Sequence, residues 1–245
     1  MHTSPQLPSC GHLEVACSSS CLRELCLPEG FSATELETLD GLVSTRRKLR
    51  RGDALFRRND PFTSIYAIRA GSFKTCVTSE GGRDHVTGFL MSGDLMGFDG
   101  IGHERHGCDA IALEDSMLCV IPYARLEEMS QDFLELQRQV HRVMSREIVR
   151  EHGNMMLLTG LRAEERLAAF LWNLAQRLGA RGFSSSSLIL RMTRQDIGTY
   201  LGLKLETISR AFTKLCDDGI LEVHRRNVSI LEPATLQRIA VGTAP

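Results

Sequence analysis

From Thr193 to Leu231 the apolar spacing changes from helical to alternating, with Gly202 between the two helical runs and Gly219 ahead of the alternating one. Thr193 is placed to cap a helix, with Asp196 three residues on in capping-box position. Ile197 and Leu201 recur at helical spacing, and Gly202 permits the left-handed conformation that ends the helix. A second helix opens near Lys204, with Leu205, Ile208, Phe212 and Leu215 predicted to face inward. Glu206, Ser209 and Arg210 then share an outward face near its N-terminal end. Two capped helices around a glycine also occur in all-α domains that never meet nucleic acid. The next segment separates these readings. Ile220-Leu221-Glu222-Val223, a polar turn at His224-Arg225-Arg226-Asn227, and Val228-Ser229-Ile230-Leu231 read as a hairpin. Helix, turn, helix and hairpin make a winged helix, whose second helix enters the major groove of DNA. There Arg210 suits a guanine edge, Glu206 the cytosine amino group, and Ser209 several base edges. Thr193, Thr207, Lys214, Arg225 and Arg226 are candidate phosphate contacts, the two arginines at the tip of the wing.

A net charge of −1 suits a DNA-binding chain only once the 245 residues are divided. From Gly160 onward there are 12 basic and 8 acidic residues, against 17 and 22 before it. The asymmetry implies a nucleic-acid module joined to something else. Met1-His2-Thr3-Ser4-Pro5 lacks the basic and apolar regions of a secretory signal. No run of residues is long and apolar enough to span a bilayer. A cytoplasmic location without membrane attachment is therefore expected, where thiols stay reduced. The eight cysteines accordingly do not indicate a disulfide framework.

Three of them stand close together in Cys17-Ser18-Ser19-Ser20-Cys21-Leu22-Arg23-Glu24-Leu25-Cys26, with Cys10 upstream. Such spacing lets one loop wrap an iron–sulfur or zinc centre, with a fourth ligand from elsewhere. Free or regulatory thiols are the alternative. Phe31 to Val43 reads as a short amphipathic helix capped by Ser32. From Arg46 to Ile121, runs such as Ile65–Ile68, Phe73–Val77, Val86–Phe89 and Met117–Ile121 alternate with glycine turns, which implies an antiparallel barrel or jelly roll. The basic run Arg46-Arg47-Lys48-Leu49-Arg50-Arg51 reads as a solvated strand face rather than a nucleic-acid patch.

Tyr123 to Leu158 reads as one long helix without proline, its seam formed by Phe133, Leu136, Val140, Val143, Met144, Ile148, Met155 and Leu158. That seam must bury itself on its own barrel or on a second copy, and two winged helices on a palindrome favour the second copy. Val140, Met144, Ile148, Glu151 and Met155 are the candidate interface, with Glu151 approaching its own copy. The expected plan is α+β: a cysteine-bearing segment (1–30), an antiparallel β-roll (31–121), a dimerisation helix (122–159) and a winged helix-turn-helix (160–245). No Ser/His/Asp grouping, phosphate-cradling loop or paired-carboxylate motif indicates an enzyme, His85 and His103 being isolated.

Taken together, this order of parts resembles the CRP/FNR family of transcription regulators. Leu25-Cys26-Leu27-Pro28, Gly93-Asp94-Leu95-Met96-Gly97-Phe98-Asp99, Ala163 through Phe170, and Asp196-Ile197-Gly198 through Glu206-Thr207-Ile208-Ser209-Arg210 are similar to its oxygen-sensing FNR branch. The resemblance implies a cyclic-nucleotide-binding-like jelly roll and a [4Fe–4S] cluster on Cys17, Cys21, Cys26 and Cys119. It also implies a homodimer formed without oxygen, a palindrome similar to TTGAT-N4-ATCAA, and recruitment of RNA polymerase. The family spacing is Cys-x2-Cys-x5-Cys, whereas this chain has Cys17-x3-Cys21-x4-Cys26, with Ser20 at the family position and Cys10 as a substitute ligand. Cys119 read alone is an inert strand cysteine, and Cys76, Cys108 and Cys216 read as structural. A thiol redox switch or zinc site is the alternative to the cluster. Relatives that bind cyclic AMP have Gly-Glu-Leu and a later Arg-Ser pair. Here Gly93-Asp94-Leu95 and His106-Gly107-Cys108-Asp109 provide no cationic phosphate anchor, so no cyclic nucleotide is expected.

Overall fold

The computed structural model describes residues 42–79, 81–158 and 160–242, with the backbone alone at residues 154–158. Cys10, Cys17, Cys21, Cys26 and most of the helix expected from Phe31 to Val43 lie outside the described residues.

Eight strands form the first half: β1 (Thr45–Leu49), β2 (Ala54–Phe56), β3 (Ser64–Ala70), β4 (Ser72–Thr78), β5 (Asp84–Met91), β6 (Leu95–Met96), β7 (Asp109–Ala112) and β8 (Ser116–Pro122). They pair antiparallel in two sheets, β1-β8-β3-β6 and β2-β7-β4-β5. Ile68 and Leu118 from the first sheet meet Phe73 and Leu90 from the second in one core. Each such side chain stabilises the fold by about 1.5–3 kcal/mol. The expected antiparallel jelly roll is present. Arg46, Arg47 and Lys48 are all exposed on β1, which among the described residues pairs only with β8. Charge on an edge strand discourages further pairing.

The single helix expected from Tyr123 to Leu158 is two: α1 (Tyr123–Asp132) and α2 (Leu134–Leu158). Phe133 interrupts them at φ −119°, ψ 93°. The turn lets Leu126 of α1, Phe133 itself, and Leu136 and Val143 of α2 reach one apolar cluster on β3 and β8. Packing therefore overrides the continuous helical pattern. It also corrects the seam, since Leu136 and Val143 are buried against their own barrel.

The second half comprises α3 (Ala163–Gly179), β9 (Ser187–Ile189), α4 (Arg194–Leu201), α5 (Leu205–Asp217), β10 (Leu221–His224), β11 (Asn227–Ile230) and α6 (Pro233–Ala240). Leu167, Leu171, Ile197, Ile208, Phe212, Val228 and Leu236 close its core. That core continues into the barrel through Val86, Phe89, Met91 and Leu113. The rings of Phe89, Phe170 and Tyr200 meet edge to face with centroids 5.1 to 5.8 Å apart. The helix pair thus rests on β5 rather than hanging from a linker. No described helix is long and apolar enough to cross a membrane.

Candidate nucleic-acid interface

Local chemistry fixes the two reading helices. The Asp196 amide donates to Thr193 Oγ1 at 3.0 Å, and the Thr193 amide donates to Asp196 Oδ2 at 2.9 Å. This reciprocal cap starts α4. Gly202 ends it at φ 65°, and the Leu203 amide returns to the Gly198 carbonyl at 2.8 Å. A Cβ on Gly198 would lie 2.7 Å from the Leu203 carbonyl oxygen, so only glycine fits this turn. On α5, Ile208, Ala211, Phe212 and Leu215 are buried. Leu205 was expected among them but is 40% exposed, because it opens the first turn ahead of the packed stretch.

Glu206 and Arg210 are exposed on the opposite face, and Ser209 is half-buried between them. Arg194, which the sequence reading missed, reaches this face from the start of α4. Its guanidinium lies 5.0 Å from the Phe212 ring centroid, and Nη1 donates to Ser209 Oγ at 3.5 Å. Only the crossing of the two helices reveals it; nothing in its local sequence does.

Behind α5, β10 and β11 pair from Leu221↔Ile230 to His224↔Asn227. The wing turn is therefore only Arg225-Arg226, shorter than the four residues expected. Arg225 is left-handed at φ 57°, a conformation that costs a non-glycine residue about 1 kcal/mol. Both arginines are exposed. The sheet gains β9 as a third strand, Leu188 pairing with Val228. Among the other phosphate candidates, Thr193 is exposed but its hydroxyl donates to Asp196 Oδ2 at 2.6 Å. Thr207 is half-buried, and exposed Lys214 lies 3.9 Å from Glu164.

Three ion-pair systems tie this head to the barrel, one of them Arg191 Nε on Glu114 Oε2 at 3.2 Å. Lys74 Nζ on β4 lies 2.6 Å from Asp196 Oδ1, in the cap of α4. Burial alone would raise the Asp196 carboxyl, but hydrogen bonds from Lys74 and Thr193 outweigh it and hold the group below its usual range. Asp94, in the turn before β6, is buried and accepts from Arg177 Nη2 at 2.6 Å and from Arg181. Burial, opposed by Asp94 and assisted by neighbouring Arg150 and Arg181, lowers the Arg177 guanidinium.

Of the candidate cluster ligands, only Cys119 is described. It is fully buried on β8 among Leu42, Ile65, Ala67, Leu95 and Val143. Ala67 pairs with Cys119 on one side and with Leu95 on the other. Among the described residues, no group of three or more His, Cys, Asp or Glu could hold a metal ion. Cys76 is buried, and Cys108 and Cys216 are half-buried; burial pushes all three thiols up. Buried His106 stacks on Phe56 with centroids 3.6 Å apart. Its Nδ1 lies 3.3 Å from Asp99, which also accepts from the Gly107 amide at 2.8 Å. On α2, Val140, Met144 and Glu151 are half-buried and Ile148 is exposed; the Met155 side chain lies outside the described residues.

Comparisons with known proteins follow the same division. Residues 46–133 match a cyclic nucleotide-binding domain and residues 165–239 a Crp-like helix-turn-helix domain. The chain is 40% identical to the transcriptional regulatory protein btr of Bordetella pertussis over 235 residues, 96% of each chain. It is also 40% identical to the transcriptional activator protein anr of Pseudomonas aeruginosa, over 92% of this chain and 93% of that one. The fumarate and nitrate reduction regulatory protein of Vibrio cholerae is again 40% identical, over 94% and 92%. The structure of FixK2 from Bradyrhizobium japonicum superposes with a TM-score of 0.75 at 27% identity, covering 81% of this chain and 98% of that one. With relatives that are regulators rather than enzymes matching it nearly end to end, the chain belongs to the CRP/FNR family of DNA-binding transcription regulators.

Proposed function

We propose that this regulator reads a two-fold palindrome, similar to TTGAT-N4-ATCAA, as a homodimer that forms when oxygen is absent. The observation that carries the reading is the exposed row Glu206, Ser209 and Arg210 on α5, flanked by the arginine-tipped wing. Arg210 donates bidentately to guanine, Glu206 accepts from cytosine, and Ser209 is steadied by Arg194. Thr193, Thr207, Lys214, Arg225 and Arg226 set register on the phosphates. Bound at a promoter, the protein recruits RNA polymerase.

The sensing half of the proposal rests on Cys119 and on the relatives' names, several of which refer to anaerobic or fumarate and nitrate regulation. Cys17, Cys21, Cys26 and Cys119 would hold a [4Fe–4S] cluster, which supplies reactivity toward oxygen when bound. The described donor fits this use. Cys119 lies in an apolar cluster that excludes water, and Leu42, at the near end of the described chain, enters the same cluster. Leu136 and Val143 of α2 touch that cluster too, so order around Cys119 bears on the helix that carries Val140, Met144, Ile148, Glu151 and Met155. The two Glu151 carboxylates, one from each subunit, repel across the two-fold axis and keep the dimer marginal. In this reading the effector is not a cyclic nucleotide, because neither Gly93-Asp94-Leu95 nor His106-Gly107-Cys108-Asp109 carries the Arg-Ser pair that would anchor its phosphate.

Operator titration tests this, using a fluorescent palindromic duplex with air-excluded protein and with the same sample after air. Tight binding that is lost in air, together with a visible absorption band that bleaches, is expected. Binding that changes in air without a band would leave the thiol switch instead, and equal binding before and after air without a band would leave the zinc site.

A further inference from the structure

Where the barrel meets the reading head, a cavity of about 370 Å³ opens between β5, the turn from β7 to β8, the end of α3 and β9. Met91 and Leu113 of the barrel, with Leu174, Leu178 and Met192 of the head, form its apolar walls, and all five are buried or half-buried. Phe183 and Ile189 also line it, although both are more than half exposed. Large apolar side chains at such a mouth gain from whatever covers them. The polar groups of the lining are already engaged. Glu114 Oε1 accepts from Ser72 Oγ at 2.8 Å, and Oε2 pairs with Arg191 Nε at 3.2 Å. Ser92 Oγ donates to the Arg69 carbonyl at 2.7 Å, and Ser184 Oγ accepts from the Ser187 amide at 2.9 Å. Glu114 and Arg191 are the charged side chains of the lining, and they neutralise each other.

We infer that this cavity binds a small uncharged molecule, largely aromatic or aliphatic, at the joint between the barrel and the DNA-reading head. Water needs two to four polar partners, which walls of this kind do not offer, whereas an apolar molecule needs only contact. The volume falls within the usual range for small-molecule sites, and such sites favour the junction of two domains. At the density of benzene in a cavity of about 150 Å³, this space admits about 15 non-hydrogen atoms. The two cavities that share Leu95 are lined by several charged side chains each and do not suit the same ligand. A molecule held here touches both halves, beside the Arg191–Glu114 tie. The inference requires neither the cluster nor the palindrome, so its test is separate from theirs.

Fluorescence titration of the full chain with N-phenyl-1-naphthylamine, an uncharged two-ring probe that brightens in apolar surroundings, tests the site. One saturable site per chain is expected. Its sulfonated counterpart, 8-anilinonaphthalene-1-sulfonate, should bind about tenfold more weakly or worse, since the lining has no free cation. Leu178→Trp, which fills the cavity, and Ile189→Arg, which puts a charge at its mouth, should each weaken the neutral probe about tenfold or more. Val241→Arg, at an exposed apolar residue outside the lining, should bind as the unaltered chain does. Thermal melts show whether Leu178→Trp folds, and Ile189→Arg, at an exposed position, serves if it does not. Absence of saturable binding overturns the inference, as does binding that survives both changes. Equal affinity for the sulfonate overturns the stated ligand class. A site seen only in dilute protein and lost as the chain self-associates also overturns it, because a second copy would then cover Phe183 and Ile189.

Discussion

Asp94 and Arg177 lie 83 positions apart in the chain, yet Oδ2 and Nη2 meet at 2.6 Å. Asp94 belongs to the turn that feeds β6, and Arg177 to the helix on which the reading head is built. Leu95, the next residue, packs in the cluster around Cys119. One buried carboxylate thus stands between the proposed sensing cysteine and the DNA-binding half.

Removing that carboxylate leaves three guanidiniums, of Arg150, Arg177 and Arg181, without their common partner. Asp94→Asn should destabilise the protein by about 3 kcal/mol, the usual result of breaking a buried pair on one side. Urea denaturation measures the loss, and limited proteolysis between α2 and α3 should quicken. An unchanged midpoint would mean that the remaining ties, Lys74 to Asp196, Arg191 to Glu114 and the apolar contact of Phe89 with Phe170, hold the halves together without it.

The second tie, Lys74 to Asp196, has a pH signature. Because the folded Asp196 carboxyl is held below its usual value of 3.8, the stability it contributes is fully present above that value. It is lost as the pH falls through the lower folded value. Lys74→Met should therefore lower stability near neutrality by about 1 kcal/mol and narrow the difference from the unaltered protein in strong acid. Denaturation at pH 7 and pH 3 checks both arms; a difference that widens in acid contradicts the pairing.

At the reading helix, Arg210→Ala should cost about 1–3 kcal/mol of operator affinity and relax the choice at one base pair. Arg226→Ala on the wing should weaken all duplexes alike and lower the salt slope by about 1. Titration of single-base operator variants at several salt concentrations separates the two. If Arg210→Ala lost affinity equally on every sequence, Arg210 would be a phosphate contact.

Glu151→Ala removes the proposed repulsion across the two-fold axis. It should strengthen association in air by roughly fivefold, the equivalent of about 1 kcal/mol. Sedimentation equilibrium of the aerobic protein reads this directly, and an unchanged association constant counts against Glu151 at the axis.

Much of the reading head was legible because its signals are local. The Thr193–Asp196 cap, the glycine turn and the buried spacing of Ile208, Phe212 and Leu215 each depend on residues a few positions apart. The longer strands β3, β4, β5 and β8 were equally visible, whereas β2, β6 and β7 have only two to four residues. Phe133 gave no warning of a helix break, since neither proline nor glycine marks it and the cause is the cluster it packs on. Leu205 misled for the converse reason: it keeps the helical period but opens its helix where no partner covers it. Arg194 on Ser209, Lys74 on Asp196 and Asp94 on Arg177 join distant segments, and no one-dimensional pattern contains them.

The central claim couples a cluster on Cys17, Cys21, Cys26 and Cys119 to dimerisation. Iron and acid-labile sulfide should be determined on one air-excluded sample that is also run in sedimentation and titrated with the palindrome, beside Cys21→Ser and Cys119→Ser. The account predicts about four irons per chain, a dimer and tight operator binding, all lost together in both variants and in air. A metal-free protein that nevertheless sediments as a stable pair on the same operator would contradict it.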